Sequence, residues 1–373
     1  MSHGASNPSG WLPRRVLGQC GIEVSALGIG CWAIGGEDFN LGLPMGWSGT
    51  DEAASVAGLE KAYELGATLF DTADVYGHGR SERLLGRLLA QVPRSSIVVA
   101  SKVGYFAGTA PHGYHPPHMR HQLEQTLDNL GTDYLDVYFL LHADFGHADV
   151  HLDAAVAAMR AFQAEGLIRA VGMRGPHRFA LERRTTPAVR EDKVERFRRL
   201  FDRVHPAVLA VRDNLLTPQA RSAGIFSFAA ERGCGLLINK PLAQGLLTGS
   251  HGHDQPRGFG PGDHRTRKRW FTPPALRVIE DGLTRLRERF GSEPRDLIRI
   301  ALWSCLERSA SGAVLVGFTR PEQVETNLTC LGRPPTAEDL LFAREVMAGV
   351  QQQLDAAGEV FLDEAPSRPG APS

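Results

Sequence analysis

"GTDYLDVYFLLH", Gly131 to His142, opens on a turn, continues through an apolar run from Leu135 and closes on a histidine. A run this short is either a strand or a slice of a buried helix, and its flanks decide between them. Before it stands "PPHMRHQLEQTLDNLG", from Pro116, an amphipathic stretch that ends on glycine as helix C-termini prefer. After it stands "LDAAVAAMRAFQAEG", from Leu152, which also closes on glycine. A strand apolar on both faces and set between helices belongs to a parallel sheet.

The same unit recurs outward in both directions. "VSALGIG" at Val24, "TLFDTA" at Thr68 and "IVVASK" at Ile97 precede it, and "DEAASVAGLEKAYELG" is a helix between the first two. "AVGM" at Ala170, "AVLAV" at Ala207, "GLLINK" at Gly235 and "AVLVG" at Ala313 follow. Eight such runs without a central break predict an α/β fold, a closed (β/α)8 TIM barrel, with a doubly wound open sheet as the alternative. The barrel is expected over residues 14–357. Residues 1–13 read as a flexible arm, and 358–373 as a Pro/Ser-rich tail unable to bury a core. The Arg- and Glu-rich stretch from Arg183 to Arg203 reads as an exposed helix with its lead-in loop.

Among 373 residues, 42% are hydrophobic and 22% charged, and the formal charge of −1 offers no field for nucleic acid or acidic membranes. No run has the length of a signal peptide core or a membrane span. Five scattered cysteines without a CxxC pair fit a reducing cytoplasm better than a disulfide framework or a zinc site. "HGYHPPHMRH" spaces His112, His115, His118 and His121 by three, but its prolines break any shared helix face, so no metal site is expected.

Chemistry in such a barrel gathers at the carboxyl ends of the strands. Those ends offer Asp71, Lys102 and His142, with Tyr76 on the loop after the second strand. A buried aspartate is costly without a partner, and Lys102 is the candidate partner. A free tyrosine titrates near about 10, and a neighbouring ammonium stabilises its phenolate. The set therefore predicts Tyr76 as a general acid–base toward a carbonyl or hydroxyl oxygen. Lys102 and Asp71 tune it, and His142 bonds the substrate oxygen.

"FDTADVYGHGRSERLLGRLL" and "GTDYLDVYFLLH", with "LGIGCWAIGG", "SKVGYF", "KPLAQGLLTG" and "GFTRPEQVETNL", resemble the signatures of the aldo-keto reductases, in that family's order from about Val16 to Asn327. The resemblance implies NADPH-dependent reduction of a small aldehyde or ketone, an oxidised sugar or metabolite intermediate among them. It makes Tyr76 the acid, tuned by Lys102 and Asp71, with His142 orienting the carbonyl. It assigns Leu242, Gln244 and Gly245 to the pyrophosphate, Gln323 and Asn327 to the adenine end, and Gly30, Cys31 and Gly317 to the strand ends around the cofactor. Arg265 and Arg267 in "GDHRTRKRW" suit the extra phosphate of NADP. Trp47 and Phe106 fall where the family lines its substrate pocket. The expected partner is a small carbonyl compound, acted on by a monomer or weak homo-oligomer.

The likeness breaks on the nicotinamide side. Arg174 and Gly175 stand where the family carries Ser-Asn, Ala210 where it carries glutamine, and Asn239, followed by Lys240, where it carries a stacking tyrosine. Arg174 and Lys240 suit an anionic substrate group. The departures leave a second reading open, a non-redox lyase, dehydratase or isomerase using the same tetrad for proton transfer. A regulatory or binding protein that retains the barrel is a third.

Overall fold

The computed structural model describes residues 12–40, 42–106, 108–176 and 187–358, the side chains of 187–193, 220 and 221 excepted. Eight strands form the barrel: β1 (Leu27–Gly30), β2 (Leu69–Asp71), β3 (Val98–Val103), β4 (Leu135–Leu140), β5 (Ile168–Arg174), β6 (Val208–Arg212), β7 (Gly235–Asn239) and β8 (Gly312–Gly317). All pair in parallel in chain order, and β8 closes on β1 through Val314 to Gly317 beside Leu27 to Gly30. All eight expected runs are barrel strands.

The helices are α1 (Glu52–Glu64), α2 (Arg80–Leu89), α3 (Pro116–Leu130), α4 (Leu152–Ala164), α5 (Pro187–Val204), α6 (Gln219–Glu231), α7 (Pro273–Phe290), α8 (Pro294–Leu306), α9 (Pro321–Thr329) and α10 (Ala337–Ala356). Their ends follow local chemistry. The Asp51 carboxylate accepts from the Ala54 N–H to start α1, and Gly131 takes a left-handed φ of 62° to stop α3. The sequence reading of an exposed helix near Arg183–Arg203 meets α5, which buries Phe197, Leu200, Phe201 and Val204 on one face; residues 177–186 lie outside the described residues.

The expected first run divides at Ala26. Its leading part pairs antiparallel with Arg14–Leu17 as the hairpin strand Ile22–Ser25, and only Leu27–Gly30 enters the barrel. Leu17, Ile22 and Val24 of the hairpin share one apolar cluster with the inward residues Leu69, Val98, Ala100, Val137, Phe139, Ala170, Val208, Leu237 and Ala313. The hairpin thus caps the barrel interior, and its turn lies so close that a methyl on Gly18 would fall 2.3 Å from the Gly235 nitrogen. Leu12, expected in the loose arm, is buried in the outer core.

Side chains alternate in and out along each strand. Continuing the inward set upward gives one layer at the carboxyl ends: Gly30, Asp71, Lys102, Arg174, Arg212, Asn239 and Gly317. Four of these seven are charged, an arrangement that the interior of a barrel needs only at a site. No helix among the described residues is long and apolar enough to cross a membrane.

Candidate active site

Above that layer opens a cavity of about 1060 Å³, walled by residues from every barrel strand or the loop after it, among them Gly30, Asp71, Tyr76, Lys102, Arg174, Asn239 and Gly317. Its centre is the pair at the ends of β2 and β3. Lys102 Nζ donates to Asp71 Oδ2 at 2.8 Å and to the Thr72 carbonyl, and both side chains are under 10% exposed. The same ammonium lies 4.9 Å from the centroid of the Tyr76 ring and acts on it electrostatically. Tyr76, Lys102 and Asp71 therefore share one concave surface.

The Tyr76 loop is held from behind. Gly77 has a φ of 61°, and a methyl there would fall 2.1 Å from the Gly35 carbonyl oxygen, so the loop presses on the one after β1. Ser81 Oγ donates to the Cys31 carbonyl at 2.8 Å and bonds Thr72 Oγ1 at 2.9 Å. Glu82, at the start of α2, accepts from Ser101, Thr126 and Asn129. These contacts account for Ser81 and Glu82 of "GRSERLL" and tie the start of α2 to β3 and α3.

Burial is the largest influence on Tyr76 and raises its pKa; Lys102 and Arg174 pull it down, Asp71 pushes it up, and the net direction is upward. The sequence reading anticipated a lowered value from Lys102 alone, and burial outweighs that pull. The phenol therefore holds its proton at neutral pH and is armed as an acid. Burial likewise drives Asp71 upward against the opposing pull of Lys102.

His142 takes another place than the mouth expected for it. Phe139 and Leu141 of the fourth strand's end line the cavity, whereas the His142 ring does not. The reason is alternation: a one-residue step puts Leu141 inward and turns His142 aside. The ring is occupied there, with Nε2 against the Gly104 carbonyl at 2.8 Å and Nδ1 accepting from the Asp144 N–H at 3.2 Å. Burial pushes its pKa down, so the imidazole is neutral.

Other expected residues divide the same way. Leu242, Gln244, Gly245, Gln323, Asn327 and Trp47 line the cavity with Arg174 and Asn239. Cys31 does not; its side chain is fully buried in the core, and its N–H donates to the Asp71 carbonyl. Phe106 does not either. It packs on the His78 ring at 5.1 Å while Tyr105 takes the wall. Arg265 reaches the cavity, but its guanidinium is doubly bonded to Asp263 and stacked between Trp47, at 3.8 Å, and Phe259, at 4.1 Å. Arg267 turns to the Pro44 carbonyl and Met45 sulfur. Both arginines thus hold the loop after β7 against the loop after β1, and of the two only Arg265 also lines the cavity.

Several wall residues escaped the sequence reading, Arg320 and three around the tyrosine among them. Trp32 follows the end of β1, and its indole sits 6.4 Å from Tyr76 and 4.9 Å from His264. An aromatic directly after the first strand was the available signal. His264 was masked by its basic neighbours, and Tyr105 by Phe106. Among the described residues no group of His, Cys, Asp or Glu is arranged to hold a metal ion.

The far end of the cavity suits a dinucleotide. Gln244 and Gly245 adopt φ values of 60° and 97°, and the buried amide of Gln244 faces the cavity with neither polar atom hydrogen-bonded. Arg320, Gln323 and Asn327 bring the amino end of α9 to the same wall, where the helix dipole favours anionic groups.

A (β/α)8 barrel with a buried lysine–aspartate pair under a tyrosine, at the end of a long cleft, defines an oxidoreductase-type site. The chain belongs to the aldo/keto reductase family, whose model matches residues 26–341; the family uses nicotinamide cofactors on small carbonyl substrates. It is 27% identical to the NADH-specific methylglyoxal reductase of Escherichia coli, over 90% of this chain and 98% of that one. It is 26% identical to the L-glyceraldehyde 3-phosphate reductase of Escherichia coli, over 97% and 98%. In fold it is similar to the glycerol dehydrogenase of Gluconobacter oxydans, with a TM-score of 0.69, 22% identity and coverage of 96% and 99%.

Proposed function

We propose that this chain reduces a small aldehyde or ketone with NADPH, Tyr76 giving the proton to the carbonyl oxygen. The observation that carries the reading is the Tyr76 phenol, its pKa raised by burial, beside the Lys102 ammonium on a cavity of about 1060 Å³. The nicotinamide, when bound, supplies the hydride.

The chain's residues do the rest. Lys102 stabilises the phenolate left after proton transfer, and Asp71 holds the ammonium in place. With His142 tied to the Gly104 carbonyl, Arg174 takes over the donor role toward the carbonyl. It lines the cavity and acts electrostatically on both Tyr76 and Asp71. Of the residues lining the cavity, Asn239 would hold the cofactor's carboxamide, Gln244 and Gly245 its pyrophosphate, and Arg320 with Gln323 its adenine end. Arg320, rather than Arg265 or Arg267, favours the extra phosphate of NADPH over NADH. The relatives named for methylglyoxal and L-glyceraldehyde 3-phosphate support small aldehydes as the substrate class. The five free cysteines suit a cytoplasmic location.

The test is a titration of NADPH and NADH into the purified protein, followed by cofactor fluorescence, then turnover of methylglyoxal. Saturable micromolar binding, tighter for NADPH, with aldehyde-dependent oxidation is expected. Failure to bind either cofactor at millimolar concentration overturns the reading.

A further inference from the structure

One polar side chain of the cavity wall has no part in the chemistry above. His264 is 6% exposed and lines the cavity, and among the described residues neither of its ring nitrogens finds a hydrogen-bond partner. Its place is fixed by the backbone. The His264 N–H donates to the Gly46 carbonyl at 2.9 Å, and Gly46 pairs with Asp263 in a short parallel bridge. The Asp263 carboxylate accepts from the Ser48 N–H at 2.7 Å and from its hydroxyl at 2.6 Å. With the loops held this way, the His264 ring meets Trp32 edge-on, 4.9 Å between centroids. Trp32 is held too, its indole N–H donating to the Met45 carbonyl at 3.0 Å, and its ring lies 6.4 Å from Tyr76. His264 and Tyr76 are therefore neighbours of one fixed indole on one cavity.

Burial is the largest influence on His264 and drives its pKa well below the usual imidazole value. The ring is neutral, with a donor on one nitrogen and an acceptor on the other. Leaving both buried and unbonded is unfavourable unless an incoming group satisfies them. That group must bring an acceptor and a donor together. An anion only accepts and leaves the bare nitrogen unpaired, and an alkyl chain leaves both unpaired. Neighbouring hydroxyls supply the two at once. Trp32, Trp47, Val75 and Leu141 line the same cavity and suit the carbon skeleton between the polar ends.

We propose that His264 is a specificity-determining residue, receiving the hydroxyl groups of a polyhydroxy aldehyde or ketone whose carbonyl lies at Tyr76. This rests on the reductase reading and names its substrate class. The imidazole N–H donates to one hydroxyl, the bare nitrogen accepts from its neighbour, and the carbon chain runs past Trp32. A deoxy aldehyde enters the same cavity and leaves the imidazole unbonded.

Matched aldehydes with NADPH provide the test: glyceraldehyde against propanal, each kcat/KM referred to the unhydrated aldehyde. In the unaltered enzyme glyceraldehyde is favoured by about 10- to 100-fold, mainly through KM, the worth of one or two net hydrogen bonds. A hydroxyl also alters the reactivity of the carbonyl itself, so the deciding figure is the change of this ratio in variants. His264→Leu lowers the ratio by about 10-fold, and His264→Gln, which keeps a donor and an acceptor, retains more of it. A ratio unchanged in His264→Leu, with both aldehydes still reduced or both slowed alike, overturns the subsite and leaves the reductase reading intact. Should the leucine variant not fold, inhibition of propanal reduction in the unaltered enzyme decides. Glycerol inhibiting at a concentration about 10-fold below 1-propanol supports the subsite, and equal inhibition overturns it. No turnover of either aldehyde, with no cofactor bound, overturns the reductase reading and the subsite with it.

Discussion

The ammonium of Lys102 touches two side chains of opposite demand: it donates to the Asp71 carboxylate at 2.8 Å and lies 4.9 Å from the Tyr76 ring centroid. Asp71 holds the charge in position, and Tyr76 uses it. Lys102 and Asp71 are buried and Tyr76 partly so, which makes the ion pair a commitment of the barrel's upper layer rather than a surface ornament.

Breaking the pair from one side exposes that commitment. Lys102→Met leaves Asp71 as an uncompensated buried carboxylate and is expected to cost about 3–5 kcal/mol of stability. Adding Asp71→Asn restores much of the stability, because the remaining charge is gone, while activity stays lost. Denaturant unfolding of the two variants checks this. A double variant as unstable as the single one contradicts the pairing.

Acid–base behaviour follows from the upward shift of Tyr76. The reducing direction needs the protonated phenol, so its rate stays level through neutral pH and falls only above about pH 10. Alcohol oxidation needs the phenolate and rises with pH over the same range. Initial rates between pH 6 and 11 measure this, and a reductive rate that halves near pH 7 contradicts it.

Arg174 and His142 exchange expected roles. Arg174→Leu removes a group that acts on Tyr76 and is expected to lower kcat by about 100-fold. His142→Ala removes a ring bonded to the Gly104 carbonyl and is expected to lower it less than about 10-fold, through loosening of the loop after β3. Steady-state kinetics of the two variants decide, and the reverse order returns the carbonyl contact to His142.

Arg265 ties two loops over the cleft by stacking on Trp47 and Phe259 and bonding Asp263, whose carboxylate also holds Ser48. Arg265→Ala removes cation–π contacts worth about 1–2 kcal/mol each at a desolvated site. Faster NADPH release in stopped-flow fluorescence is expected, with a larger change in release than in association. Unchanged release shows that the strap does not retain the cofactor.

What the sequence revealed depended on burial. The eight strands were legible because each is apolar on both faces, and Asp71 and Lys102 stood out as charges at the ends of such runs. The division of the first run at Ala26 was hidden, since the capping hairpin and β1 are equally apolar. His142 misled by one residue, a distance that residue type cannot reveal but alternation can. Arg265 and Arg267 read as free cations because their partners, Asp263, Trp47, Phe259 and Pro44, are settled only by tertiary packing. The altered nicotinamide side was visible as Arg174, Asn239 and Lys240, whereas His264 and Trp32 gained meaning only from their mutual contact.

The most direct test removes one oxygen. Tyr76→Phe keeps the ring beside Lys102 and takes away the proton. NADPH affinity by fluorescence titration is expected to stay within about 2-fold of the unaltered protein, while single-turnover aldehyde reduction falls by about 10²- to 10⁴-fold. Reduction at an undiminished rate in this variant contradicts the role given to the phenol.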